Sequence, residues 1–216
     1  MNTDELIAVL ADDVRPIRPG LVQRRLASFT GVGLGGSVLL LFTWLPPRPD
    51  LMAAMGGLFF WEKGLYTLSF ALAGALAAER LARPDGKPPA AAGRLLGLVV
   101  GLMAISGVAG LLAAAGPAQR LALWLGDSFQ VCSLRIVVLS VPILAMTLAA
   151  TRSLAPTRLR SAGAAAGLLA GGLSATVYAL HCPESTAAFV VTWYSLGMLA
   201  CGAIGAALGP WVLRWR

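Results

Sequence analysis

Six apolar stretches, each close to the length of a bilayer-crossing helix, limit what this chain can fold into. They run over 26–45, 57–78, 95–115, 133–151, 162–180 and 188–210. A helix of about 20 residues, rising about 1.5 Å each, spans the roughly 30 Å hydrocarbon layer. Between the stretches, "PPRPD" (46–50), "RPDGKPP" (83–89), "AGPAQR" (115–120), "SLAPTRLR" (153–160) and "HCPES" (181–185) supply breaks where helices end. Charged residues make up only 12% of the 216, about half of what a soluble domain uses. That is too few to cover a water-facing surface. The pattern predicts an all-α membrane protein, a bundle of six transmembrane helices.

Lys and Arg set its orientation. Of the 17 such residues, 13 fall on one side: before the first stretch, between the second and third, between the fourth and fifth, and after the sixth. The positive side faces the cytoplasm, so both termini are expected there. Arg48, Lys63, Arg120 and Arg135 fall on the outer side. The net charge of +7 is thus a topology signal. It forms no stripe of the kind that binds nucleic acid, and no direct nucleic-acid contact is expected. The N-terminus is acidic, unlike a signal peptide, and is expected to be retained.

Three regions follow: a cytoplasmic segment 1–25, a membrane domain 26–210, and a tail 211–216. Within the first, "NTDELIAVLADDV" predicts a short amphipathic helix. Asn2 or Thr3 would cap it, with Glu5 three residues after Asn2 as in a capping box. Leu6, Ile7, Leu10 and Val14 recur at helical spacing, with Asp4 and Asp12 among the acidic residues beside them. Such a helix either docks on a partner or lies on lipid. Its acidity disfavours the negative inner leaflet.

"GVGLGG" (31–36) matches a dinucleotide-binding spacing, but no strand precedes it and it lies inside a predicted membrane helix. Its glycines, like those of "GAAAGLLAGG" (163–172) and "CGAIGAALG" (201–209), are expected to let helices pack closely. Glu62, Lys63 and Arg135 lie near span ends. Arg135 is expected to meet Glu62 or Glu184, or to snorkel to the headgroups. No set of acids or histidines crosses the midplane, as a proton-coupled transporter would need. No Ser/His/Asp constellation or nucleotide loop suggests an enzyme, and no bound cofactor is expected.

"YALHCPES" (178–185) holds the only histidine and one of three cysteines. The topology puts Cys182 and Cys132 at one outer level, where a disulfide or reactive thiol pair is chemically reasonable. His181 and Glu184 are candidate tuners of Cys182. With both cysteines they are also candidate ligands for a sensed thiophilic heavy-metal ion. The bland alternative is a helix end exposing an ordinary His and Cys. Cys201 falls well inside the sixth stretch and reads as a small buried apolar group.

The stretch "YALHCPESTAAFVVTWYSLGMLACGAIGAALGP" (178–210) closely resembles the C-terminal hallmark of the NrsF family, negative regulators of a sigma F factor. The opening "TDELIAVLADDVRPIRP" (3–19), "RPDL" (48–51) and a cysteine opening the fourth span resemble it too. The resemblance implies a six-helix anti-sigma factor of the bacterial inner membrane, holding an extracytoplasmic-function sigma factor inactive. It implies two outward-facing sensing cysteines, which match Cys132 and Cys182, and leaves Cys201 without a counterpart. The zinc motif H-x-x-x-C-x-x-C is absent, so inhibition cannot rest on that zinc fold. The resulting expectation is a signalling protein whose N-terminal helix (Asp4, Leu6, Ile7, Leu10, Asp12, Val14) sequesters the sigma factor. It would release that partner when Cys132 and Cys182 meet oxidative or metal stress. The competing classes are a membrane thiol-disulfide oxidoreductase and a small transporter. The first calls for a second cysteine pair, the second for broken helices at the midplane, of which Pro142 is the one hint.

Overall fold

The computed structural model describes residues 2–12, 20–83, 86 and 89–214. These are helical almost throughout. α1 (Thr3–Asp12) precedes α2 (Leu21–Trp44), the short α3 (Leu51–Met55), α4 (Leu58–Leu81), α5 (Ala90–Ala113) and α6 (Pro117–Leu125). Then come α7 (Phe129–Arg152), α8 (Leu159–Tyr178), α9 (Ala187–Phe189), a π-helical turn (Val190–Tyr194) and α10 (Ser195–Val212). Four helical segments are long and apolar enough to cross a membrane: Leu21–Trp44, Ala90–Ala113, Pro117–Arg152 and Ala187–Val212. The predicted stretches 57–78 and 162–180 are also helical, as α4 and α8.

Small residues decide how these helices meet. α8 is the hub, wedged between α4, α7 and α10. A Cβ on Gly163 would collide with the carbonyl of Gly205, and one on Gly167 with that of Cys201. On the other flank, a Cβ on Gly74 of α4 would strike the backbone of Leu169. In "GVGLGG", Gly33 comes so near α7 that a Cβ would sit 2.7 Å from Cα of Ile143. These glycines are packing surfaces, as expected for helices that cannot rely on water to drive them together. Hydroxyl pairs add polar ties: Thr30–Thr147 at 3.2 Å between α2 and α7, and Thr67–Thr176 at 2.8 Å between α4 and α8. α5 is peripheral. It buries only Met103 and Gly107 and exposes Leu95, Leu98, Leu102 and Ile105.

Two expectations shift. The first long helix begins at Leu21, not 26, so Gln23, Arg24 and Arg25 extend it beyond its apolar run. Residues 117–125, between the third and fourth stretches and partly within the predicted break 115–120, form the amphipathic helix α6, with Pro117 fitting the first helical turn. The predicted N-terminal helix is present as α1, and the Glu5 carboxylate accepts the Asn2 N–H at 3.0 Å, half of a capping box. Leu6 and Ile7 on it are 41% and 58% exposed. Leu10 and Asp12 lie on α1 by position, and Val14 lies outside the described residues.

Candidate functional site

The turn that follows α8 carries Cys182 back under the start of α7. Tight backbone bonds prolong α8: the His181 and Cys182 N–H groups both reach the Tyr178 carbonyl, at 2.9 and 3.0 Å. Cys132 lies in the first turn of α7, its N–H bonded to Ser128 at 2.9 Å. The two cysteines, fifty positions apart, meet as free thiols, and both are fully buried. The Cys132 thiol donates to Cys182. The hydroxyl of Ser128 lies 3.9 Å from the Cys182 sulfur.

Tyr178 and Tyr194 close the site. Their rings pack 5.7 Å apart, and both are fully buried. Neither hydroxyl makes a well-directed hydrogen bond, although Tyr194 neighbours Cys182 and Tyr178 neighbours Cys132. Tyr194 ends the π-helical turn. That widened turn also presents the Trp193 carbonyl to Ser133 Oγ at 2.7 Å, which ties α7 to the sixth stretch beside Cys132. Single π-turns of this kind recur at functional sites.

Lys63, near the N-terminal end of α4, was not expected here. Its side chain is 1% exposed. The amino group donates to the carbonyls of Cys182 and Glu184 at 3.2 and 2.8 Å, and lies 5.3 Å over the Tyr194 ring. Among the described residues no carboxylate pairs with it, so backbone dipoles and an aromatic face offset its burial. The hydrogen bond from Cys132 does most to pull the Cys182 thiol down, to about 5. Burial opposes this, and the Lys63 ammonium adds to it. A thiolate is therefore favoured on Cys182 at neutral pH.

His181 and Glu184 are turned away from the sulfurs. His181 Nδ1–H donates to the Pro46 carbonyl at 2.7 Å, and Nε2 faces Arg135 Nη1 at 3.2 Å. Arg135 thus meets His181, and not Glu62 or Glu184, the two partners that the sequence suggested as alternatives to snorkelling. Glu184 instead accepts the N–H groups of Asp127 and Ser128, at 2.8 and 3.3 Å, and the Ser128 hydroxyl at 3.3 Å. A carboxylate there satisfies the free amides and the dipole at the start of α7. Gly126 makes this possible: its φ of 59° is left-handed, and a Cβ would stand 2.6 Å from the Glu184 carboxylate. Among the described residues no group of three or more His, Cys, Asp or Glu could hold a metal ion. The four-residue metal set suggested by sequence is not assembled. Two thiols remain, and they are buried rather than solvated at the membrane surface.

The turn bearing Cys182 is thus anchored on three sides: to α4 by Lys63, to α7 by Glu184, and to the α2–α3 linker. The last tie adds the Arg48 N–H to the Leu180 carbonyl at 3.0 Å to the His181 bond. Cys201 stands apart. Its thiol donates to Ser140 Oγ at 3.2 Å inside the α7–α10 contact.

Residues 10–215 match the family described as "Negative regulator of sigma F". The "Anti-sigma-F factor NrsF" of Caulobacter vibrioides is 46% identical over 216 residues, covering both chains completely. The "Probable anti-sigma-F factor NrsF" of Azospira oryzae is 42% identical over 219 residues, again covering both. No solved structure matches.

Proposed function

The chain belongs to the NrsF family of negative regulators of sigma F, and from that premise we propose that it is a membrane-bound anti-sigma factor with a cysteine-pair sensor. It holds an extracytoplasmic-function sigma factor at the bacterial inner membrane. Six helices span the bilayer, α2, α4, α5, α7, α8 and the α9–α10 unit, with both termini cytoplasmic. The apolar face of α1, with Leu6 and Ile7 uncovered and Leu10 four residues after Leu6, receives the sigma factor together with Val14, which follows in the sequence, and the acidic Asp4 and Asp12 add charge. Helix-in-groove binding of this kind reads anchors at three- and four-residue spacing.

The observation that carries the reading is the meeting of Cys132 and Cys182 as free, buried thiols. They lie near the C-terminal end of α2, a helix about 36 Å long for its 24 residues, whose other end follows α1 in the sequence. Oxidation by a peroxide takes two electrons and the one proton left on Cys132, reduces the peroxide to water and hydroxide, and joins the sulfurs. A soft metal ion held between two thiolates imposes a similar constraint. Either event pulls the Cys182 turn toward α7. Because that turn is tied to α4 and to the end of α2, the strain passes to both helices. At their other ends Gln23 of α2 donates to Glu79 of α4 at 2.8 Å, on the side of the bundle where the chain arrives from α1. A ligand acts only by favouring one of two states, so the oxidised or metal-bound state must hold the sigma factor less well.

The test is recovery of the sigma factor with the full-length protein from native membranes, with and without peroxide or cadmium. Retention in resting membranes and loss after treatment is the expected result. Equal retention in both would remove the sensor role, and no retention in either would remove the docking role.

A further inference from the structure

The arginine-rich end of the molecule holds a second site, far from the thiols. There α8 and α10 meet backbone to backbone. A Cβ on Gly163 would collide with Gly205, and one on Gly209 with the carbonyl of Leu159. With no side chains wedged between the helices, a groove stays open along their flank. It forms a cavity of about 640 Å3 lined by Arg160, Ala206, Ala207, Pro210, Trp211 and Arg214.

The chemistry of this groove is divided. Arg160 from α8 and Arg214 from beyond α10 place two guanidinium groups on it. Among the described residues neither forms an ion pair, whereas Arg48 and Arg83 do. Pro210 has no N–H, so the Ala206 carbonyl lacks its usual donor four residues on. The other side is apolar and shallow. Ala206 and Ala207 line it, and Gly202, one turn before Ala206 on α10, opens toward Ala164 and Leu168 with ordinary contact distances of 3.8 and 3.9 Å for an added Cβ. Trp211 is 85% exposed, as an indole resting at headgroup level would be.

We propose that this groove binds one anionic phospholipid. The phosphodiester lies between Arg160 and Arg214, a headgroup hydroxyl meets the Ala206 carbonyl, and an acyl chain follows the small residues of α10. Trp211 packs against the glycerol backbone. Two unpaired cations call for an anion, and basic pockets between spanning helices recognise lipid headgroups. The exposed Leu199, Ile204 and Leu208 continue the apolar surface along α10. That favours a lipid over an acidic protein segment, which would have to leave water to follow the same surface.

The experiment is native mass spectrometry of the full-length protein in detergent, titrated with dioleoyl phosphatidylglycerol or dioleoyl phosphatidylcholine. One phosphatidylglycerol should stay bound at concentrations where phosphatidylcholine does not. Arg160→Gln and Arg214→Gln should each weaken it about five-fold, the worth of one basic residue at an anionic surface. The double variant should abolish the preference, and lysine at both positions should recover most of it. Arg94→Gln, exposed at the start of α5, should change nothing. Equal binding of the two lipids, or an equal loss with Arg94→Gln, overturns the proposal. Displacement by millimolar glycerol 3-phosphate also overturns it, in favour of a soluble phosphate ester. So does loss of sigma-factor recovery in the arginine variants with phosphatidylglycerol binding unchanged.

Discussion

Cys182 differs from the other two cysteines in what surrounds its sulfur. Its thiol is held down to about 5, chiefly by the Cys132 hydrogen bond. Its alkylation by a small neutral reagent should therefore vary little between about pH 6.5 and about pH 8, because the thiolate is already formed. Cys132→Ala removes the main support of that thiolate. The Cys182 thiol then returns toward the ordinary range near 8.5, and the rate should climb with each unit of pH. Mass-spectrometric labelling of the purified protein reads both profiles. On the proposed function, Cys132→Ser and Cys182→Ser should block sigma-factor release alike, with the double variant no worse than either. Cys201→Ser should release normally. Additive effects in a release assay would mean that the sulfurs act separately. That Cys132 and Cys182 stand at one level of the bundle was legible in the sequence from helix spacing. The turning away of His181 and Glu184 was not, since it depends on Pro46 and on the amides of Asp127 and Ser128. Lys63 was noticed only as an ion near a span end. Its partners lie 119 and 121 positions away, and nothing local in the sequence announces a lysine bonded to carbonyls.

Helices carry these residues, and their contacts can be tested separately. Replacing Leu6 and Leu10 by Asp puts charge on the apolar stripe of α1. The double variant should insert normally yet lose at least tenfold in sigma-factor recovery, as removal of central apolar anchors does. Wild-type recovery would exclude α1 as the dock. Gly205 tests the hub. A side chain there meets the Gly163 carbonyl, so Gly205→Leu should cost about 1–3 kcal/mol or more through overpacking. Gly110→Leu, with nothing within 4 Å of its added Cβ, should stay within about 0.5 kcal/mol of the parent. Thermal unfolding in detergent compares the two. Long helices were readable because apolar length and Pro/Gly breaks are local signals. Helix ends were less so: Gln23, Arg24 and Arg25 look like loop residues, yet polar side chains are at home on a helix that runs on past the apolar layer. The π-turn at Val190–Tyr194 left no trace in "VVTWY", because its extra residue is fixed by contacts with α7.

At the scale of the molecule, the charge asymmetry makes the sharpest claim. On the proposed six-span topology 13 of 17 Lys and Arg lie on the cytoplasmic side, so a reporter that works only in the periplasm should stay silent when fused after Arg216. Activity there would invert the bundle and move the thiols to the cytoplasm. Closure of the thiol site has a consequence in time rather than in space. A sulfur with no exposed surface reacts only during moments when the turn after α8 swings open. If that opening costs about 3 kcal/mol, roughly one molecule in 150 is open at any instant. Reaction then runs at that fraction of the rate of a free thiol, however quickly the reagent diffuses. A brief pulse leaves the sulfurs untouched, and a sustained one converts them, so the protein integrates exposure over a period set by its own breathing.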